Sequence, residues 1–120
     1  MTQVSIIHNP RCSKSRQTLA LLEEKACEVQ IIEYLKTPLT KVEICRILDK
    51  LAITPRELMR TKEDEYKQQG LAEITDDEIL IQAMVDTPKL IERPIVLANG
   101  KAAIGRPPEN VLTILSGDIS

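Results

Sequence analysis

Short apolar runs alternate along the chain with longer segments whose apolar residues recur every three or four positions. Residues 4–7 are apolar and rich in β-branched side chains, which predicts a buried strand. His8-Asn9-Pro10 ends it, and a helix is expected from Ser13, with Leu19, Leu22 and Ala26 at helical spacing. Residues 29–32 predict a second buried strand. Two short apolar strands joined by a helix imply a β-α-β unit with parallel strands and a right-handed crossover.

The middle of the chain reads as helical. Thr40-Lys41-Val42-Glu43 has the capping-box pattern, followed by Ile44, Ile47, Leu48 and Leu51 on one face. Thr54-Pro55-Arg56-Glu57 repeats the pattern, with proline at the first helical position, where its missing N–H is harmless. Thr75-Asp76-Asp77-Glu78 is a third box, leading into Ile79, Ala83 and Met84. Residues 61–74 are polar and contain Gly70, which predicts a short helix and a loop. After Pro88 the pattern changes. Residues 95–98 and 101–104 flank Asn99-Gly100, the strongest short hairpin signal. Pro107-Pro108-Glu109 then opens a last helix carrying Val111, Leu112 and Leu115. The order is β-α-β, then β-β-α, with a helical insert over about residues 40–87 after the second strand. This is the order of an α/β, thioredoxin-like domain, one domain over residues 1–120.

Composition narrows the function. The core must be aliphatic, because 35 residues are Leu, Ile or Val, two are Tyr, and none is Phe or Trp. Proteins that stack bases on aromatic rings are therefore disfavoured, and a net charge of −2 disfavours a basic nucleic-acid module. No nucleic-acid partner is expected. Cys12, Cys27 and Cys45 form no C-x-x-C pair and no zinc-site spacing, so neither a disulfide scaffold nor a metal is expected. With neither a signal-peptide pattern nor a long apolar run, the expected setting is the reducing cytoplasm, with no membrane partner.

Charge is unevenly spread. Residues 1–22 hold three bases and no acid, residues 23–86 nine bases and fifteen acids, and residues 87–108 four bases and one acid. Two basic ends would suit an anion site if they met, although uneven solvation of the surface accounts for charge alone. The chemistry centres on His8-Asn9-Pro10-Arg11-Cys12-Ser13-Lys14-Ser15-Arg16, between the first strand and the first helix. A thiol there lies beside the N–H groups and positive end of a helix, with Arg11, Lys14, Arg16 and His8 nearby. Its pKa should be lowered, and the same N–H groups could hold an oxyanion against the sulfur. Cys27 and Cys45 lie in apolar helical settings and read as structural. Arg93, before Pro94, and Arg106, after the hairpin, are the arginines placed to add a planar fork for a tetrahedral anion. In a thioredoxin-like fold the loop before the third strand holds a cis-proline opposite the active cysteine, which would turn Arg93-Pro94 toward Cys12.

These residues resemble the glutaredoxin-linked arsenate reductases, a thioredoxin-fold family with one catalytic cysteine. The resemblance runs from Ser5 to about Leu115. Besides the segment around Cys12, it rests on Glu33-Tyr34-Leu35-Lys36-Thr37-Pro38, Leu58-Met59-Arg60, Gly70-Leu71-Ala72, Glu92-Arg93-Pro94-Ile95-Val96 and Gly105-Arg106-Pro107. Longer members carry a C-terminal extension missing here, so the resemblance is to the shorter branch.

It implies Cys12 as nucleophile, His8 and Ser15 as supports of its thiolate, and Arg60, Arg93 and Arg106 as oxyanion-binding arginines. Asn9 is assigned only a loop-shaping role. The implied reaction is reduction of arsenate to arsenite through a Cys12 thiol-arsenate adduct, with glutathione as co-substrate, glutaredoxin as partner and no tightly bound cofactor. One alternative is a same-family enzyme acting on glutathione adducts or another oxyanion. Another is a non-catalytic regulator of this fold that binds a protein partner, as relatives that bind RNA polymerase do, some through a C-x-x-C switch. Cys12-Ser13-Lys14-Ser15 lacks that second thiol, and a pure partner-binding protein has no need of the arginine set, so the enzyme is placed first.

Overall fold

The computed structural model describes residues 3–25 and 27–115; Ala26, expected on the first helix's apolar face, lies outside the described residues. The chain divides into two compact units, Met1–Thr37 with Arg93–Ser120, and Pro38–Glu92.

The first unit holds a four-stranded sheet. β1 (Gln3–His8) is followed by α1 (Ser13–Glu24) and β2 (Glu28–Glu33), and β3 (Ile95–Ala98) by β4 (Lys101–Ile104). The spatial order is β2-β1-β3-β4. β1 runs parallel to β2, from Gln3 opposite Glu28 to His8 opposite Glu33, and antiparallel to β3. Alternation along the central strand points Val4 and Ile6 to one face, where they pack with Val96, Ala98, Leu22 of α1, Val111 and Ile114. β2 departs from the buried strand that its apolar run predicts. It lies at the sheet edge, and Ile31 is 47% exposed. A run of apolar residues records β propensity but not whether a strand has neighbours on both sides. The hairpin follows its signal. Asn99 and Gly100 both have positive φ, 53° and 74°, as the tight turn between right-twisted strands requires. The closing segment is a 3₁₀ turn, Pro108–Val111, running into a short helix, Leu112–Leu115. Because the tighter turn rotates the register, Val111 and Ile114 are buried, while Leu112 and Leu115 are only half-buried.

The second unit is helical. α2 (Lys41–Leu51) and α3 (Pro55–Leu58) both start with complete capping boxes, Thr40 with Glu43 and Thr54 with Glu57. α2 buries Ile44, Ile47 and Leu48. α4 (Asp64–Gln68) and a 3₁₀ turn (Leu71–Glu73) follow, joined through Gly70 at φ 64°. Arg56 ties this stretch together, donating to the Tyr66 hydroxyl and to the carbonyls of Leu71 and Ile74. α5 (Asp77–Asp86) starts one residue later than the third box predicts. Asp76, not Thr75, caps it, accepting from the Glu78 N–H at 3.0 Å. A carboxylate adds a full negative charge at the helix's positive end, which a threonine lacks. Leu80, Ile81, Ala83 and Met84 form the buried set, and Ile79, expected on that face, is 48% exposed. An isolated bridge pairs Met59 with Ile91. The Arg60 N–H donates to the Leu90 carbonyl at 2.7 Å, and the Glu92 N–H to the Leu58 carbonyl at 2.8 Å. Among the described residues, no helix is long and apolar enough to cross a membrane.

Candidate active site

β1 ends at His8, and the chain turns through Asn9-Pro10-Arg11 before α1 begins. The turn is closed by its own hydrogen bonds. Cys12 N donates to the Asn9 carbonyl at 3.0 Å, and Arg11 N to Asn9 Oδ1 at 3.0 Å. Asn9 N donates to Ser15 Oγ at 3.0 Å. His8 Nδ1 and Ser15 Oγ share a buried hydrogen bond of 2.6 Å. Cys12 is thereby fixed at the N-cap of α1, the position that Ser, Thr or Asp usually takes to cap with an oxygen. In place of an oxygen, this position sets the sulfur at the positive end of the helix, before the Lys14 and Ser15 N–H groups.

The rest of the first unit supplies the arginines. The Arg93–Pro94 peptide bond is cis. Arg106 Nε donates to the Arg93 carbonyl at 2.8 Å, and its Nη2 lies 3.5 Å from Cys12 Sγ. Burial works against ionisation of the Cys12 thiol. The Ser15 N–H, the Arg93 charge, the Lys14 N–H and the Arg106 charge together outweigh it, and the thiol titrates below its ordinary value.

Four residues expected around the sulfur have other duties. Arg11 and Lys14 carry exposed side chains, and Arg16 turns back to donate to the Pro10 carbonyl at 2.9 Å. The charges acting on the thiol come instead from Arg93 and Arg106, because side chains on successive helical positions fan outward while distant chain folds back over the helix end. His8 bonds to Ser15, not to Cys12. Burial holds its imidazole below the ordinary 6.5, with Arg16 adding to the effect and Glu33 opposing it, so His8 is neutral at pH 7 and brings no positive charge to the sulfur. The bond orders Ser15, whose hydroxyl also accepts from the Asn9 N–H. Arg60, in the second unit, pairs with Glu63 and, at 3.9 Å, with Glu92. Cys27 is half-buried against the cluster around Val4, Ile6 and Leu22, which pushes its thiol pKa up. Cys45 lies on α2. Among the described residues, no group of three His, Cys, Asp or Glu side chains is placed to hold a metal ion.

A pH dependence of stability follows from His8, the chain's only histidine. Its folded pKa is lowered, so below about pH 6.5 the unfolded chain takes up the proton first. Stability should be complete above that pH and fall as pH drops toward the folded value. Urea midpoints between pH 7 and about 5 should show this decline in the native chain and a smaller one in His8→Gln.

A parallel β-α-β unit and an antiparallel hairpin, with a cysteine at the helix N-terminus and a cis-proline before the third strand, define a thioredoxin-like fold. Residues 7–114 match the ArsC family, and the chain belongs to that family. It is 57% identical over 115 residues to the uncharacterized protein YfgD of Escherichia coli K12, covering 94% of this chain and 97% of that one. It is 49% identical over 117 residues to an arsenate reductase of Neisseria meningitidis, covering 96% and 100%. The solved structure of an arsenate reductase from Vibrio cholerae superposes with a TM-score of 0.92 at 49% identity, covering 95% of this chain and 98% of the other.

Proposed function

We propose that this chain is an oxidoreductase that reduces arsenate to arsenite with glutathione and glutaredoxin in the cytoplasm. The observation that carries the reading is the Cys12 sulfur at the α1 N-terminus, with the Lys14 and Ser15 N–H groups on it and Arg106 Nη2 at 3.5 Å. In this scheme the Cys12 thiolate attacks arsenic, an As–S bond forms and an oxygen leaves as water. Arg93 and Arg106 offset the charge that makes attack of an anion on an anion difficult. The resemblance gives Arg60 the same task, and mutation tests it. Glutathione then attacks the adduct. An S–S bond forms between Cys12 and glutathione, the As–S bond breaks, and its electron pair takes arsenic from the pentavalent to the trivalent state. Glutaredoxin removes the glutathionyl group and regenerates the thiolate. Glutathione enters as co-substrate, and the scheme calls for no bound cofactor.

The second thiol comes from outside the chain. Ser15 stands where a C-x-x-C resolving cysteine would. Cys27 follows the far end of α1, a helix of 12 residues and therefore about 18 Å long, well beyond disulfide reach of Cys12. Arsenite formation by the native chain, assayed with arsenate, glutathione and glutaredoxin, tests the proposal. Turnover should persist in Cys27→Ala/Cys45→Ala and stop when glutathione is omitted. Absence of arsenite from the native chain, with capture of a protein partner in its place, would favour the regulator.

A further inference from the structure

Gly105 is buried, immediately precedes Arg106, and packs against Pro94 and Thr18. Its N–H donates to the Pro94 carbonyl at 2.9 Å, while Arg106 Nε donates to the Arg93 carbonyl at 2.8 Å. These two bonds clip the segments together, and Gly105 meets α1 at Thr18. Thr18 is fully buried, and its hydroxyl donates to the Lys14 carbonyl at 2.8 Å. A Cβ on Gly105 would stand 2.5 Å from Thr18 Oγ1, 2.8 Å from Pro94 Cγ and 3.1 Å from Thr18 Cγ2, where ordinary contact begins at 3.4 Å. Neither neighbour yields readily. Thr18 is β-branched, stiff at χ1 and held by its hydrogen bond, and Pro94 is a ring. A side chain at 105 therefore drives the end of β4 back from α1 by roughly an ångström, a gap the packed interior does not absorb elsewhere.

We propose that Gly105 and Thr18 are positioning residues that set the distance between the Arg106 guanidinium and the Cys12 sulfur. Thr18 is six residues along the helix that presents Cys12, less than two turns away, so the spacing at Thr18 fixes where the next residue after Gly105 can reach. The Nη2 contact is 3.5 Å, and a further ångström removes it as a hydrogen bond. The inference rests on the reading of Cys12 as nucleophile and Arg106 as its partner.

The test combines a measurement without substrate and one with it. In Gly105→Ala the Cys12 thiolate should appear at higher pH than in the native chain, followed by its ultraviolet absorbance. Its kcat/KM for arsenate should fall about 10- to 100-fold, the scale of an ångström misplacement. Adding Thr18→Ala, which removes two of the three close contacts, should recover part of both losses. In an Arg106→Ala background, Gly105→Ala should no longer shift the titration, whereas general damage to the fold would shift it equally in both backgrounds. If Gly105→Ala does not fold, Thr18→Ala/Gly105→Ala is compared with Thr18→Ala. An unchanged titration in Gly105→Ala, or an equal shift with and without Arg106, overturns the inference. The titration needs no arsenate, so a native chain inactive on arsenate would count against the proposed function and leave the positioning test intact.

Discussion

Replacing Cys12 by Ser should abolish turnover while leaving the oxyanion bound. The hydroxyl at that position is far from ionised at pH 7, so the covalent adduct cannot form, and kcat/KM should fall by at least about a thousandfold, the scale on which loss of a nucleophile registers. The Lys14 and Ser15 N–H groups, Arg93 and Arg106 remain in Cys12→Ser, so arsenate or sulfate should still bind, as calorimetry would show. The pair of measurements is what discriminates. Lost turnover with retained binding separates a nucleophile from a residue that only shapes the loop, while retained turnover would assign the chemistry to another thiol.

Lysine should fail to replace the arginines. Arg106 uses two faces of its guanidinium at once, Nε on the Arg93 carbonyl and Nη2 toward Cys12 Sγ. An ammonium offers one point of charge and cannot hold both directions. Arg106→Lys and Arg93→Lys should each cost on the order of 1–3 kcal/mol in transition-state stabilisation, the range for a charge-assisted hydrogen bond. The resemblance extends the same expectation to Arg60→Lys. Arg106 is exposed, so its substitution should leave thermal unfolding nearly unchanged. Unchanged kinetics in all three variants would reduce these arginines to solvated surface groups.

The elements that short sequences specify were the legible ones. The Asn99-Gly100 hairpin and the Thr40 and Thr54 capping boxes each depend on a few adjacent residues, and each occurs where its pattern places it. Cys12 at the start of α1 follows equally from Pro10 and the apolar spacing beyond Ser13. What depends on distant chain was harder to read. The residues of β2 predict a buried strand, because nothing in them reveals that it has β1 on one side only. The sequence places Arg93 and Arg106 at the anion site, but it credits the lowered thiol pKa to the neighbouring Arg11, Lys14, Arg16 and His8, whereas the charges that act on the sulfur are those of Arg93 and of Arg106, 94 residues away. Pro94 hinted at Arg93 through the expected cis bond, but the hydrogen bond that joins Arg106 to Arg93 has no local signature. Thr75 and Asp76 are both good caps, and local preference alone does not choose between them. Arg60 stood out only by resemblance, since it lies among many charges of a polar segment.

Everything proposed for the site depends on Cys12 ionising more readily than an ordinary thiol, and one titration addresses that directly. The ultraviolet thiolate absorbance of the native chain is followed against pH, and the same curve for Cys12→Ser is subtracted to remove Cys27 and Cys45. The midpoint of the difference should lie below the ~8.5 of an ordinary thiol, because the helix N–H groups, Arg93 and Arg106 outweigh burial. It should move upward in Arg93→Lys or Arg106→Lys. A midpoint at or above the ordinary value in the native chain would contradict the account.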